Sequence, residues 1–186
     1  MSRERLHPPP PPSSDVVILA AVNYDRLTDN VSRGLRELRI DVTGRRVLLK
    51  PNLVEFEPGS AINTHPLLIG AVAEAVRRAG AADVLVAEGP GHRRDLEYLV
   101  TATGLADVLR DLRVRVLDLN LDDVRRVPLR THFMGLDSLF LPVSALDADV
   151  IISLPKLKTH HWAGMTCAMK NLFGMVPGAV YGWPKN

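Results

Sequence analysis

Apolar residues fall in two rhythms along this chain, short unbroken runs and stripes at helical spacing, and the two alternate from Asp15 onward. The runs are Asp15 to Ala21 (DVVILAA), Arg45 to Lys50 (RRVLLK), Ala82 to Glu88 (ADVLVAE), Arg113 to Leu119 (RVRVLDL) and Ala148 to Lys156 (ADVIISLPK). Their length and β-branched content predict strands, with Arg113 to Leu119 alternating rather than apolar throughout. Pro51 follows the second run directly and bars an interior ladder position there.

The stripes lie between the runs. Val31, Leu35 and Leu38 recur at helical spacing behind Thr28 or Asp29 as a cap. Leu68, Val72, Ala75, Val76 and Ala79 form the face of a second helix. Thr64 is its expected N-cap, Pro66 fits its first turn and Gly80 its stop. Glu74 and Arg78 are placed to pair one turn apart. Residues 94–112 predict one or two helices broken near Gly104, and residues 124–143 a small hairpin beside the main sheet. Ala163 to Gly174 (AGMTCAMKNLFG) predicts a last helix. Its apolar face is Met165, Ala168, Met169 and Leu172, with Thr166 and Lys170 a turn apart on a neighbouring face.

Strand and helix in alternation predict an α/β fold with a mainly parallel sheet and helices on both faces. Residues 1–14 are a proline-rich tail predicted to be disordered, and 15–186 a single α/β domain. The last stretch, VPGAVYGWPKN, has no closing element, and the expectation is that sequence continues past Asn186.

Composition narrows the function classes. Of 186 residues, 46% are hydrophobic and 24% charged, as in an ordinary globular domain. A net charge of +2 gives no global drive toward nucleic acid or membrane, so neither is expected as a partner. Aromatics are 5% of residues, with Trp162 and Trp183 isolated, which also argues against nucleic acid. No apolar run is long enough to span a bilayer and no signal-peptide core is present, so a cytoplasmic location is expected. Cys167 is the single cysteine, which excludes an internal disulfide and an iron–sulfur cluster held within this stretch.

Candidate chemistry collects where the runs end. The second closes on Lys50-Pro51-Asn52, the third on Glu88-Gly89-Pro90-Gly91-His92, and the last on Pro155-Lys156-Leu157-Lys158-Thr159-His160. In open parallel sheets, ligands bind outside the carboxyl ends of the strands. If extended, residues 156–160 send Lys156, Lys158 and His160 to one side. The predicted helix start at Met165 would add free N–H groups. Ammonium groups about 5 Å apart repel by roughly 1–3 kcal/mol, so gathering Lys156, Lys158 and Lys170 calls for a compensating anion or for Glu88. No phosphate-loop motif and no metal-ligand spacing is present.

LLKPNLV, NTHP, VAEGPG, PKLKTH and TCAMKNLFGMVPG, in that order over Val47 to Gly178, together resemble the family called domain of unknown function 362. The resemblance implies an α/β domain. It implies, too, that many relatives carry a ferredoxin-like module with iron–sulfur clusters, from which this chain departs. Its motif positions are Lys50, Asn52, Thr64, His65, Glu88, Gly89, Lys156, Lys158, His160, Lys170 and Asn171.

Two functions are expected from this pattern. The first is an enzyme domain that binds a small carboxylate or phosphate metabolite at the C-terminal edge of the sheet. Its ligand-binding residues would be Lys50, Asn52, Thr64, Glu88, Gly89, Lys156, Lys158, Thr166 and Asn171. His160, His65 and Lys170 would be catalytic, because histidine titrates near neutrality and crowded lysines lose basicity. The second is a non-enzymatic module that docks a ferredoxin-like electron carrier or another redox partner. The residues name no cofactor.

Overall fold

A computed structural model describes residues 15–20, 24–133, 135–161 and 163–182. The proline-rich tail, Ala21, Trp162 and Trp183 lie outside the described residues. The centre of the fold is a four-stranded parallel sheet of β1 (Arg46–Pro51), β2 (Asp83–Glu88), β3 (Arg115–Asp118) and β6 (Val150–Leu154). Its order is β3-β2-β1-β6, and β1 is buried at every residue after Arg46. Pro51 closes the strand opposite Leu154, a terminal position where its missing N–H costs no interior bond.

Four helices build the thick side of the core: α1 (Leu27–Glu37), α2 (Pro66–Arg78), α3 (Leu96–Ala102) and α4 (Leu105–Asp111). Val72, Val76, Leu99, Leu105 and Leu109 pack against Val47, Leu49, Val84 and Val86. Leu48 points the other way, because successive strand residues alternate faces. It joins Ala87, Leu119 and Ala145, the last on the short helix α5 (Val143–Leu146). That side also holds a cavity of about 530 Å3 lined by Leu48, Leu85, Leu117 and Val143. The expected hairpin forms from β4 (Val124–Phe133) and β5 (Leu136–Pro142).

The strand starts are capped by ion pairs: Arg46 with Asp149 at 3.2 Å, and Arg115 with Asp83 at 3.0 Å. Glu74 and Arg78 pair as expected at 2.5 Å, Gly80 ends α2 at φ +90°, and Thr103-Gly104 separates α3 from α4.

Three expectations are corrected. Asp15 to Ala20 carry no strand; Val16 is 79% and Ile18 92% exposed, and Leu19 rests on Gly34 of α1. A β-branched run becomes a strand only beside a pairing neighbour, which local pattern cannot supply. Thr28 and Asp29 do not cap α1; both lie in its first turn, and the Thr28 hydroxyl donates to Glu74 at 2.9 Å. The helix expected over 163–174 is a second hairpin, β7 (Lys158–His160) with β8 (Gly164–Thr166), followed by α6 (Ala168–Asn171) and a 3-10 turn at Leu172–Met175. Gly164 adopts φ +70°, which helps turn the chain back on itself. The expected apolar face instead meets solvent, with Met165 58% and Met169 88% exposed.

Candidate functional site

The carboxyl ends of β1, β2 and β6 meet at one rim, and the chemistry of the chain converges there. At its base lies a sealed knot. The Lys50 ammonium forms an ion pair with Glu88, with side chains 1% and 3% exposed. It also donates to the Pro51 carbonyl at 2.7 Å and to Asn171 Oδ1 at 3.4 Å. Glu88 accepts backbone N–H bonds from Leu53 and Gly89, both at 3.0 Å. Burial pushes the Lys50 pKa down and the Glu88 pKa up, each against the pull of its partner. Asn171 ties α6 to the sheet by donating to the Lys50 carbonyl at 2.9 Å and the Ser153 hydroxyl at 3.0 Å.

Glycines let the backbone close over this knot. A Cβ on Gly174 would stand 2.5 Å from Glu88 Oε1 and 3.0 Å from Lys50 Nζ. A Cβ on Gly89 would collide with the Gly174 carbonyl oxygen. Both positions demand close backbone approach rather than an unusual φ.

A second layer joins the loop after β1 to β6. The Asn52 N–H donates to the Thr64 hydroxyl at 2.9 Å, and that hydroxyl donates to the Leu154 carbonyl at 2.6 Å. Thr64 is therefore a strut between strand ends, and the α2 N-cap falls to His65, whose Nδ1 accepts from Leu67 N–H at 3.2 Å. Asn63 holds the same loop through Val54 N–H and the Glu55 carbonyl, both at 2.8 Å.

The cations lie above. Lys158 donates to the Ile62 carbonyl at 2.7 Å. Its pKa is lowered by burial first and then by the charge of Lys170, with Lys156 adding to it; Glu55 and Glu88 pull the other way. Both carboxylates are already engaged, Glu55 with Arg94 at 2.6 Å and Glu88 with Lys50. His160 is lowered by burial, then by Lys170, His161 and Lys158. It stacks on His161 with centroids 4.8 Å apart, and its Nδ1 accepts from Ala163 N–H at 3.2 Å. His65 is lowered by burial and by Lys156, and stacks on Tyr24 at 4.1 Å. An Nδ1 that accepts leaves the proton of a neutral imidazole on Nε2, so His65 and His160 both present an N–H donor near neutral pH.

Lys156, Lys158, Lys170, His160 and His65 thus share one electrostatic neighbourhood over the Lys50–Glu88–Asn171 knot. Two expectations change. The charge of Lys50 is spent on Glu88 inside the protein, because an unpaired buried ammonium is too costly. Met165 is a strand residue, so no helix start supplies N–H groups there. Sequence reasoning did not find Gly174, Ser153, Glu55, Tyr24 or the Ile62 and Leu154 carbonyls as parts of the rim. Backbone carbonyls have no sequence signal, and only the glycine ending KNLFG could have been singled out. Among the described residues, no three His, Cys, Asp or Glu side chains are grouped to hold a metal ion. Cys167 offers one thiolate where an iron–sulfur cluster needs about four ligands, so the chain's own residues do not fit that group.

The family model for domain of unknown function DUF362 matches residues 47–186, the stretch that supplies every motif at this rim. The chain belongs to that family. A thylakoid-associated protein of Synechocystis sp. (strain ATCC 27184 / PCC 6803 / Kazusa) is 38% identical over 142 residues, covering 75% of this chain. The DUF362 chain spans 42% of that relative's length. No solved structure matches it. Among the described residues no helix is long and apolar enough to cross a membrane.

Proposed function

We propose that this DUF362 chain binds a small anionic metabolite, a carboxylate or phosphate, at the rim formed by Lys156, Lys158 and Lys170, as part of an enzyme. One observation carries the reading: Lys158 is pressed by two like charges while both carboxylates within its reach are committed to Arg94 and Lys50. A bound anion would supply the missing charge. His160 and His65 would donate hydrogen bonds from Nε2 in their neutral form, and one of them would be the acid/base, acting as acid only as the imidazolium. Lys170, crowded by Lys158 and His160, is the candidate for nucleophilic or proton-transfer work. The expected cytoplasmic location remains part of this reading.

Calorimetric titration with inorganic phosphate, citrate and simple carboxylates tests it. Lys156→Met with Lys158→Met is expected to weaken binding at least tenfold while the fold persists. Equal affinity in wild type and double variant removes the site.

A second reading rests on a separate observation. Leu157, Met165, Met169 and Phe173 are 67%, 58%, 88% and 50% exposed along the same stretch of chain, residues 157–173, that carries Lys158 and Lys170. An apolar surface beside lysines suits docking of an acidic electron carrier. The relative's name ties that protein to thylakoids, and for this chain such an association is an alternative setting for the same surface. Salt-dependent binding of a plant-type ferredoxin, lost in Met169→Ser with Lys170→Ser, supports docking; absence of binding at low salt rejects it.

A further inference from the structure

Two buried oxygens at the rim have no partner among the described residues: Asn52 Oδ1 and Thr166 Oγ1. Their residues are only 9% and 2% exposed. Polar groups so placed are nearly always hydrogen-bonded. Both residues are tied to neighbours of the anion site. Thr166 sits directly opposite Lys158 in the β7–β8 ladder, and cross-strand partners send their side chains to one face. Lys158 reaches the Ile62 carbonyl, two residues before Thr64, and Thr64 is bonded to Asn52 through both N–H and hydroxyl.

Resting on the anion reading above, we infer that the ligand is a hydroxylated anion, a hydroxy acid or phosphorylated polyol whose hydroxyl groups meet Asn52 Oδ1 and Thr166 Oγ1. The amide oxygen accepts only, so its partner must donate. An ammonium donor would be repelled by Lys156, Lys158 and Lys170, whereas a hydroxyl adds no charge. A hydroxyl also accepts, which suits Thr166, whose own O–H needs somewhere to point. A site built around a substrate hydroxyl discriminates strongly against the analogue lacking it, because its own polar groups are then left unpaired.

The test is calorimetric titration of the full chain with matched probes: lactate against propionate, and glycerol 3-phosphate against propyl phosphate. The hydroxylated member of at least one pair is expected to bind at least tenfold tighter. Thr166→Val is expected to shrink that gap, and Thr166→Ser, which keeps the oxygen, to retain it. Equal affinities within both pairs overturn this inference, leave the two oxygens to buried water and leave the anion site standing. No binding by any of the four probes overturns the anion reading and this inference with it. A gap that survives Thr166→Val unchanged shows that Thr166 does not read the hydroxyl and overturns the assignment. The wild-type comparison needs no variant to fold.

Discussion

Lys50 and Glu88, at the ends of neighbouring parallel strands, neutralise each other inside the protein rather than facing a ligand. Breaking one side of a buried pair strands the other charge, which typically costs about 3–5 kcal/mol. Lys50→Met should show a loss of that order in urea denaturation. Lys50→Met with Glu88→Gln should lose clearly less, because no charge is left unpaired and the glutamine oxygen still accepts from one of the two backbone N–H groups, Leu53 or Gly89, that the two carboxylate oxygens hold. A double variant as unstable as the single one refutes the pairing as the source of the cost.

The two glycines of GPG differ in what surrounds them. Gly89 touches the Gly174 backbone, whereas a Cβ on Gly91 meets nothing within 4 Å. Gly89→Ala and Gly174→Ala should each destabilise by about 1–3 kcal/mol through overpacking, and Gly91→Ala should stay within about 0.5 kcal/mol. Thermal denaturation of the three variants decides it, and equal melting temperatures would sink the close-approach argument.

Anion affinity should rise on acidification. His160 has a pKa lowered below its usual 6.5, so its free form is neutral at pH 7. An anion favours the imidazolium and raises the bound-state pKa, so affinity grows as pH falls from the bound-state value through the lower free-state one. Phosphate titrations from pH 7.5 to 5 should show this slope, corrected for the titration of phosphate itself, and His160→Gln should flatten it. An unchanged slope in the variant places the titrating group elsewhere.

Asp149 has its pKa lowered to about 2 by side-chain hydrogen bonds from Arg46, with the Arg46 backbone N–H next. The depressed folded value means that its contribution is complete above the unfolded pKa of 3.8, declines as pH falls through about 2, and is gone below. Wild type minus Asp149→Asn stability, measured by denaturation between pH 5 and 2, should shrink in that window. A difference independent of pH would show that the ion pair does not titrate with folding.

Much of the rim was legible because its residues sit just after apolar runs. Lys50, Glu88 and Lys156 follow or end strands whose pattern is unambiguous, and a parallel sheet puts such ends on one edge. The roles were less legible. Thr64 reads locally as a helix cap, yet its hydroxyl is claimed by Leu154, ninety residues away in sequence. Met165 to Leu172 reads as an amphipathic helix, yet its apolar positions face solvent and its buried members are Thr166 and Asn171. Apolar spacing records which side chains could line up, while the hairpin set by Gly164 decides which do.

By itself the sequence determined the α/β class, the strands of the sheet, the family and the edge where polar residues gather, because these follow from local periodicity and handedness. Only the tertiary structure decided that Lys50 is spent inside on Glu88, that Gly89 lets its backbone meet the Gly174 carbonyl while Gly174 leaves room for the Lys50–Glu88 pair, and that Asp15 to Ala20 pairs with no strand. Each of those depends on distant segments meeting, and desolvation and close packing act only after they meet.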